Sequence, residues 1–318
     1  MSRPPPRRDG AGAGGRGEGG GVPRDGGARG EGGRRGEGAG VPRDGGAASG
    51  MPPGVRDFIF RVYGKYHRPE FIPPDPLELV LPWERVEDRE IAALVASSFA
   101  LGRVGGILRA AAEVLALLGP RPREGLVSLS PEDIRRGFAG FRYRFFGPHQ
   151  GANFLMALRR AVLDYGSLEN LFAAGMDASH ETVMPALGFF ADEIRRRAPG
   201  DFGILLCDPR RGSAAKRLHL FLRWMVRRDS VDPGGWTAAP PEKLVVPLDT
   251  HMHSLALRLG LTRRRSADIA AALDTTRSLR LLDPRDPVRF DFSLCRLGIR
   301  PRAAMDENLY GNSRQTLS

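Results

Sequence analysis

Between Pro52 and about Pro301, apolar side chains recur at three- and four-residue intervals, with few of the alternating runs that strands need, so the pattern is helical. Val55 to Tyr66 predicts a short aromatic-bearing helix, and the prolines from Pro69 to Pro82 break the stretch after it. Asp88 to Ala100 is strongly helical, and Gly102 to Gly106 interrupts it before a second helix, Ile107 to Leu118. Ser130-Pro131-Glu132-Asp133 reads as a helix start, with the serine as cap and proline at the first helical position. Further helices are expected over Ala152 to Tyr165, Ser167 to Phe172, His180 to Arg197, Ser213 to Arg228, Thr250 to Leu259, Ser266 to Leu282 and Asp286 to Leu297. About ten helices with short connections make an all-α domain, placed here at residues 51–302. A Gly- and Pro-rich link, Asp229 to Pro247, ends in the extended run Leu244-Val245-Val246-Pro247.

The first fifty residues break with this pattern. They hold 19 glycines and a near-repeat, Gly17 to Ala28 returning at Gly36 to Ala47 with Ala39 in the place of Gly20. With almost no large apolar side chain to bury, such a segment cannot offset the entropy of ordering. Residues 1–50 are therefore expected to be a disordered Gly/Arg-rich tail, and 303–318 a C-terminal tail.

The tail carries nine arginines and six acids, which leaves +8 of the net +11 on the other 268 residues. A basic ordered part favours a polyanionic partner, of which nucleic acid is the commonest. Cys207 and Cys295, the two cysteines, exclude a four-thiolate zinc or iron–sulfur site within the chain and suggest no disulfide framework, in keeping with a reducing cytoplasm. The apolar run Ile91 to Leu101 is eleven residues long, too short to span a bilayer. A soluble cytoplasmic protein without a membrane partner is expected.

Among 48 basic side chains only Lys65, Lys216 and Lys243 are lysines. A guanidinium holds its proton and cannot act as an amine nucleophile, so Lys216, kept amid Arg210, Arg211, Arg217, Arg223, Arg227 and Arg228, is a candidate for chemistry as well as for a salt bridge or phosphate contact. Ser213 is positioned to cap its helix, with the amine in the first turn. The helix start and the surrounding arginines disfavour a further cation, whereas a nearby carboxylate acts the other way. Asp249, in Leu248-Asp249-Thr250-His251, stands where an N-cap belongs. A capping carboxylate on a proline-fixed turn is also held still, as a catalytic group must be.

Val246-Pro247-Leu248-Asp249-Thr250-His251, followed by an amphipathic helix with Arg258, resembles the V-D-T-H element of the helix-hairpin-helix DNA glycosylases, the endonuclease III-like superfamily. The resemblance implies that Asp249 is catalytic and that Lys216, at the start of the second hairpin helix, is the Schiff-base lysine of a bifunctional member. It also implies a two-lobed helical fold with the site between the lobes. The glycosylase hairpin has a Gly-hydrophobic-Gly turn before the lysine; here Gly212 alone remains, behind Arg210 and Arg211. Residues 55–300 as a whole resemble an uncharacterised bacterial family, a domain of unknown function. The carrying segments are Tyr143-Arg144-Phe145, Ala215 to Leu218, Phe221 to Arg227, Pro247 to His251 and Asp286 to Phe292.

Base excision by such an enzyme needs a phosphate grip and an aromatic or apolar pocket for the everted nucleotide. Arg142 and Arg144, interleaved with aromatics in Phe141-Arg142-Tyr143-Arg144-Phe145-Phe146, suit either task, unless that stretch is a helix with its rings turned inward. Arg217, Arg223 and His251 flank the two catalytic candidates, and Trp236 is a candidate wedge or stacking residue; Trp224 reads as core. His251 and His253 diverge on a helix, so no metal is expected, and Gly102 to Gly106 lacks the Lys-Ser/Thr of a P-loop. The expected activity is that of a cofactor-free DNA glycosylase or abasic-site lyase, monomeric, acting on double-stranded DNA that is damaged or abasic. The rival is a non-catalytic nucleic-acid-binding protein on the same scaffold.

Overall fold

The periodicity resolves into twelve α-helices in the computed structural model, which describes residues 51–298; the tails expected at 1–50 and 303–318 lie outside the described residues. The helices are α1 (Val55–Tyr66), α2 (Val86–Ser98), α3 (Val104–Leu118), α4 (Pro122–Ser128), α5 (Pro131–Gly137), α6 (Pro148–Tyr165), α7 (Leu168–Ala173), α8 (Met184–Arg197), α9 (Lys216–Val226), α10 (Thr250–Arg258), α11 (Ile269–Arg280) and α12 (Asp291–Gly298). No strand occurs among the described residues, only isolated bridges such as Tyr143 with Phe146 and Ser213 with Asp268. The protein is all-α, and no described helix is long and apolar enough to cross a membrane.

Most starts follow from local chemistry. Ser130 accepts from the Asp133 N–H at 3.1 Å while the Asp133 carboxylate accepts from Ser130, so both orphan donors of α5 are met. Asp268 caps α11 from one side only, accepting from Ala271 N–H at 2.8 Å.

Four expectations are corrected. The short helix α4 escapes the periodicity because it has only seven residues with Gly125 at its centre. That glycine is obligatory, since a β-carbon there meets the Leu118 carbonyl. The helix expected from Ser213 begins at Lys216, because Ser213 is drawn into a bridge with Asp268 and Ala215 takes the cap position. Asp286 to Leu297 divides into a 3-10 turn, Pro287–Phe290, and α12. Phe141 to Phe146 is no helix but a tight turn, closed by Tyr143 N–H to Phe146 O at 2.9 Å and Phe146 N–H to Tyr143 O at 2.8 Å.

Helices α2 and α9 are buried along almost their whole length and pack on each other. Arg217 at the start of α9 donates to the Ser98 carbonyl at the end of α2 (2.5 Å), and Arg89 near the start of α2 donates to Gly234 O beyond α9 (2.8 Å), so the pair is antiparallel. Helices α3 to α8 pack with α2 and one another on one side; on the other, α1 and α10 pack on α12, and α11 packs on α10 and on the turn Pro287–Phe290 that precedes α12. The two groups share one continuous apolar core.

Ions inside that core tie the second group together. Arg223 is 3% exposed and donates to Asp232 (3.1 Å) and Asp291 (2.6 Å). Arg227, equally buried, donates to Asp232, to Asp229 (2.6 Å) and to Asp286 (2.9 Å). Asp229 also meets His67, the C-cap of α1, at 2.9 Å. On the far side Glu90 of α2 accepts from the N–H groups of Leu168 (2.7 Å) and Glu169 (3.0 Å) and from Trp236 Nε1 (3.0 Å). Burial pushes its carboxyl up to about 7, against the pull of those donors.

Removing Asp232 leaves two enclosed guanidiniums short of a counter-charge. Asp232→Ala is expected to cost about 3–5 kcal/mol, read from urea unfolding. Glu90 titrates higher when folded than unfolded, so the folded chain binds the extra proton and stability falls as pH rises from about 4.5 to about 7. Glu90→Gln is expected to flatten that segment of a Tm–pH curve; an unchanged slope contradicts the assignment.

Candidate active site

Lys216 opens α9 and Asp249 caps α10, so two helix starts distant in sequence meet at the seam between the helix groups. The amine donates to Asp249 Oδ2 at 2.8 Å, and the two side chains are 34% and 23% exposed. The pair is thus sheltered yet open to a ligand from solvent.

Each partner is held locally. The extended run from Leu244 to Leu248 is anchored where Val246 N–H donates to Thr276 Oγ1 at 3.0 Å, and Leu244, Val245, Val246 and Leu248 are buried. Asp249 then divides its oxygens: Oδ1 accepts from Met252 N–H at 2.8 Å, capping α10, and Oδ2 takes the lysine. On the other side Ala215 has φ 43 and ψ 33, a left-handed conformation that a side chain disfavours by about 1–2 kcal/mol. The surrounding structure imposes it: Ile269 N–H donates to Gly212 O at 3.1 Å and Ser213 pairs with Asp268, which turns the chain so that Lys216 faces Asp249.

Burial is the largest single influence on the Lys216 amine and lowers its pKa. The charge and hydrogen bond of Asp249, with Cys295 and Asp291 behind them, outweigh burial, and the net shift is upward. Burial likewise raises Asp249, but the Lys216 charge and hydrogen bond, the Met252 N–H and the His251 ring bring it below its ordinary value. The resting pair is ammonium and carboxylate, so the charged outcome, not a neutral amine, wins between the two opposed influences anticipated from sequence.

The remaining sequence candidates separate. His251, Arg142 and Arg144 are exposed, His251 beside Asp249 and the two arginines on the Tyr143–Phe146 turn. Arg217 is half-buried and donates to the carbonyls of Ser98 and Ile204. Arg223 and Trp236 are corrected: Arg223 is consumed by Asp232 and Asp291, and Trp236, 4% exposed, packs tilted against Phe172 and edge-on to Phe221 and donates to Glu90. Neither can reach a nucleic acid.

Two residues join the site unforeseen. Asp291 opens α12, and Cys295, one turn on, lies with its thiol 3.6 Å from Asp291 Oδ1; both act electrostatically on Lys216. Asp291 stands within a segment carrying the family resemblance, but only the packing of α12 against α10 brings it near the amine. No group of three or more His, Cys, Asp or Glu side chains fit to hold a metal occurs among the described residues.

The ion pair has a signed pH dependence. The raised Lys216 contributes stability below the unfolded lysine value and loses it as pH rises through the folded one. The lowered Asp249 contributes above the unfolded aspartate value and loses it as pH falls through the folded one. Asp249→Asn is expected to lower Tm most at neutral pH, with wild type and variant converging at both extremes; a constant offset across pH excludes the pair as its source.

No curated protein matches the chain. Among solved structures it is similar to the crystal structure of the 8-oxoguanine DNA glycosylase of Thermotoga maritima, at 18% identity and a TM-score of 0.41, over 76% of this chain and 95% of that one. Residues 75–300 match the family described as protein of unknown function (DUF2400), and they include Lys216, Asp249, Asp291 and Cys295. The chain belongs to the DUF2400 family.

Proposed function

We propose that this protein is a DNA base-excision glycosylase and abasic-site lyase, with Lys216 as Schiff-base nucleophile and Asp249 as its charge partner. The observation that carries the reading is the 2.8 Å ammonium–carboxylate contact, partly open to solvent, between two helix starts. Its chemistry suits the reaction. Lys216 must first lose a proton, and the Asp249 oxygen it already touches accepts it, directly or through water. The free amine attacks C1′ of the target sugar as the base departs with the bonding pair and takes up the proton from Asp249; the carboxylate so restored faces the positive charge at C1′, and breaking of the ring C1′–O bond, whose oxygen takes the remaining amine proton, leaves the Schiff base. The net charge of +11 favours a polyanionic ligand, and exposed Arg142, Arg144 and His251 are the proposed phosphate contacts.

The charged resting state also favours a second reading, a nucleic-acid-binding protein on this scaffold without lyase chemistry, because an ammonium is no nucleophile. Borohydride trapping on abasic duplex separates the two. Wild type is expected to form a covalent adduct whose rate climbs with pH as the ammonium deprotonates. Lys216→Arg, which keeps the charge and loses the nucleophile, is expected to form none. Asp249→Asn is expected to slow trapping by about 10²-fold or more. Adducts undiminished in Lys216→Arg reject the assignment, and salt-sensitive binding with no adduct in wild type establishes the second reading.

A further inference from the structure

Phe145, at 72%, is the most exposed of the large apolar side chains among the described residues. Its turn is rooted in the core. Phe141 and Phe146 are buried with their rings edge-on to Phe99 at 5.6 and 6.2 Å, and Tyr143 Oη donates to the Leu101 carbonyl at 2.6 Å. The tip is conformationally costly as well, for Arg144 takes φ 51, and Gly102, against which its side chain packs, takes φ 113, a backbone conformation that a side chain disfavours. A ring displayed on a fixed post has little freedom left to lose on binding.

Its surroundings are cationic. Arg142, Arg144, Arg103 and Arg109 are all exposed, and none is paired with a carboxylate among the described residues. The Arg144 guanidinium lies over the Phe145 ring, 5.4 Å from its centre, which leaves the opposite ring face open. An acid in the adjoining loop, Asp201, is turned to the Gly203 N–H. Through that loop the turn is continuous with the candidate site: Gly203 lies beside the Phe146 ring, which a β-carbon placed there would touch, Ile204 is 53% exposed, and the Ile204 carbonyl accepts from Arg217, the neighbour of Lys216.

We propose that the Phe145 turn is a stacking platform for an exposed nucleobase, so that the preferred ligand is a nucleic acid whose base stack is interrupted, by a gap, an abasic position or single-stranded character, over an intact duplex. Inside an intact duplex both faces of every base are covered by neighbours, and the ring finds no partner. Where the stack is broken a face is open, and the arginines around it meet the phosphates. The proposal rests on the nucleic-acid part of the functional reading and not on Lys216 as a nucleophile.

The test is a set of binding titrations with oligonucleotides carrying 2-aminopurine beside a one-nucleotide gap, in single-stranded form and in intact duplex. Wild type is expected to bind the interrupted strands about 10-fold more tightly than intact duplex and to quench the reporter base. Phe145→Ala, a change at an exposed tip, is expected to lose that preference by about 5- to 10-fold while keeping its duplex affinity and its Tm; Phe145→Trp is expected to retain it. A preference that survives in Phe145→Ala overturns the proposal, as does wild type that binds none of the three nucleic acids. Borohydride trapping reports on Lys216 separately, so an enzyme that never forms an adduct yet loses its preference with Phe145 leaves this inference standing and the lyase reading not.

Discussion

The position of α9 depends on the enclosed arginine–aspartate chain through Arg223 and Arg227. Arg223 follows Lys216 by seven positions on α9, so their backbone positions are about 10 Å apart along one helical rod. Asp291 grips that rod from the start of α12, and Asp232, Asp229 and Asp286 grip its end. Such ions stabilise less than a hydrocarbon core of equal volume, because desolvation opposes their attraction. What they add is direction: an arginine fork accepts a carboxylate in few orientations, and a helix held by five such contacts cannot rotate or slide. The orientation of Lys216 follows from that restraint.

The same restraint explains the electrostatics of the site. Signs alternate from the surface inward, from Asp249 to Lys216, Asp291, Arg223, Asp232 and Arg227. Lys216 therefore stands between a half-buried and an enclosed carboxylate, and both oppose the desolvation that burial imposes on it. A ligand that covers Asp249 changes the balance at the amine directly, whereas the inner half of the series stays fixed.

Much of this was legible in the chain. Val55 to Tyr66 was bounded correctly by its apolar spacing alone, Ser130 by its cap chemistry, and Lys216 with Asp249 by residue type and by likeness to a known element. The failures share a cause. Periodicity finds an apolar stripe, but α9 has buried sides all round, so nothing local marks Arg223 as an interior ion while exposed arginines abound. Trp236 sits in a glycine-rich link and looks available; a carboxylate 146 residues earlier claims its N–H. Ser213 has the composition of a cap, yet a tertiary bridge outcompetes the local bond. Phe145 alternates with arginines like a residue of an amphipathic helix, and only the left-handed backbone at Arg144 reveals a turn.

One carboxylate performs two tasks at Asp249, with one oxygen fixing the first turn of α10 and the other engaging the amine. Occupancy of the site and order in α10 are consequently linked quantities. Whatever withdraws the carboxylate toward a bound molecule loosens the hydrogen-bond closure of the helix, and whatever frays the helix releases the carboxylate; by thermodynamic reciprocity the two couplings are equal in size.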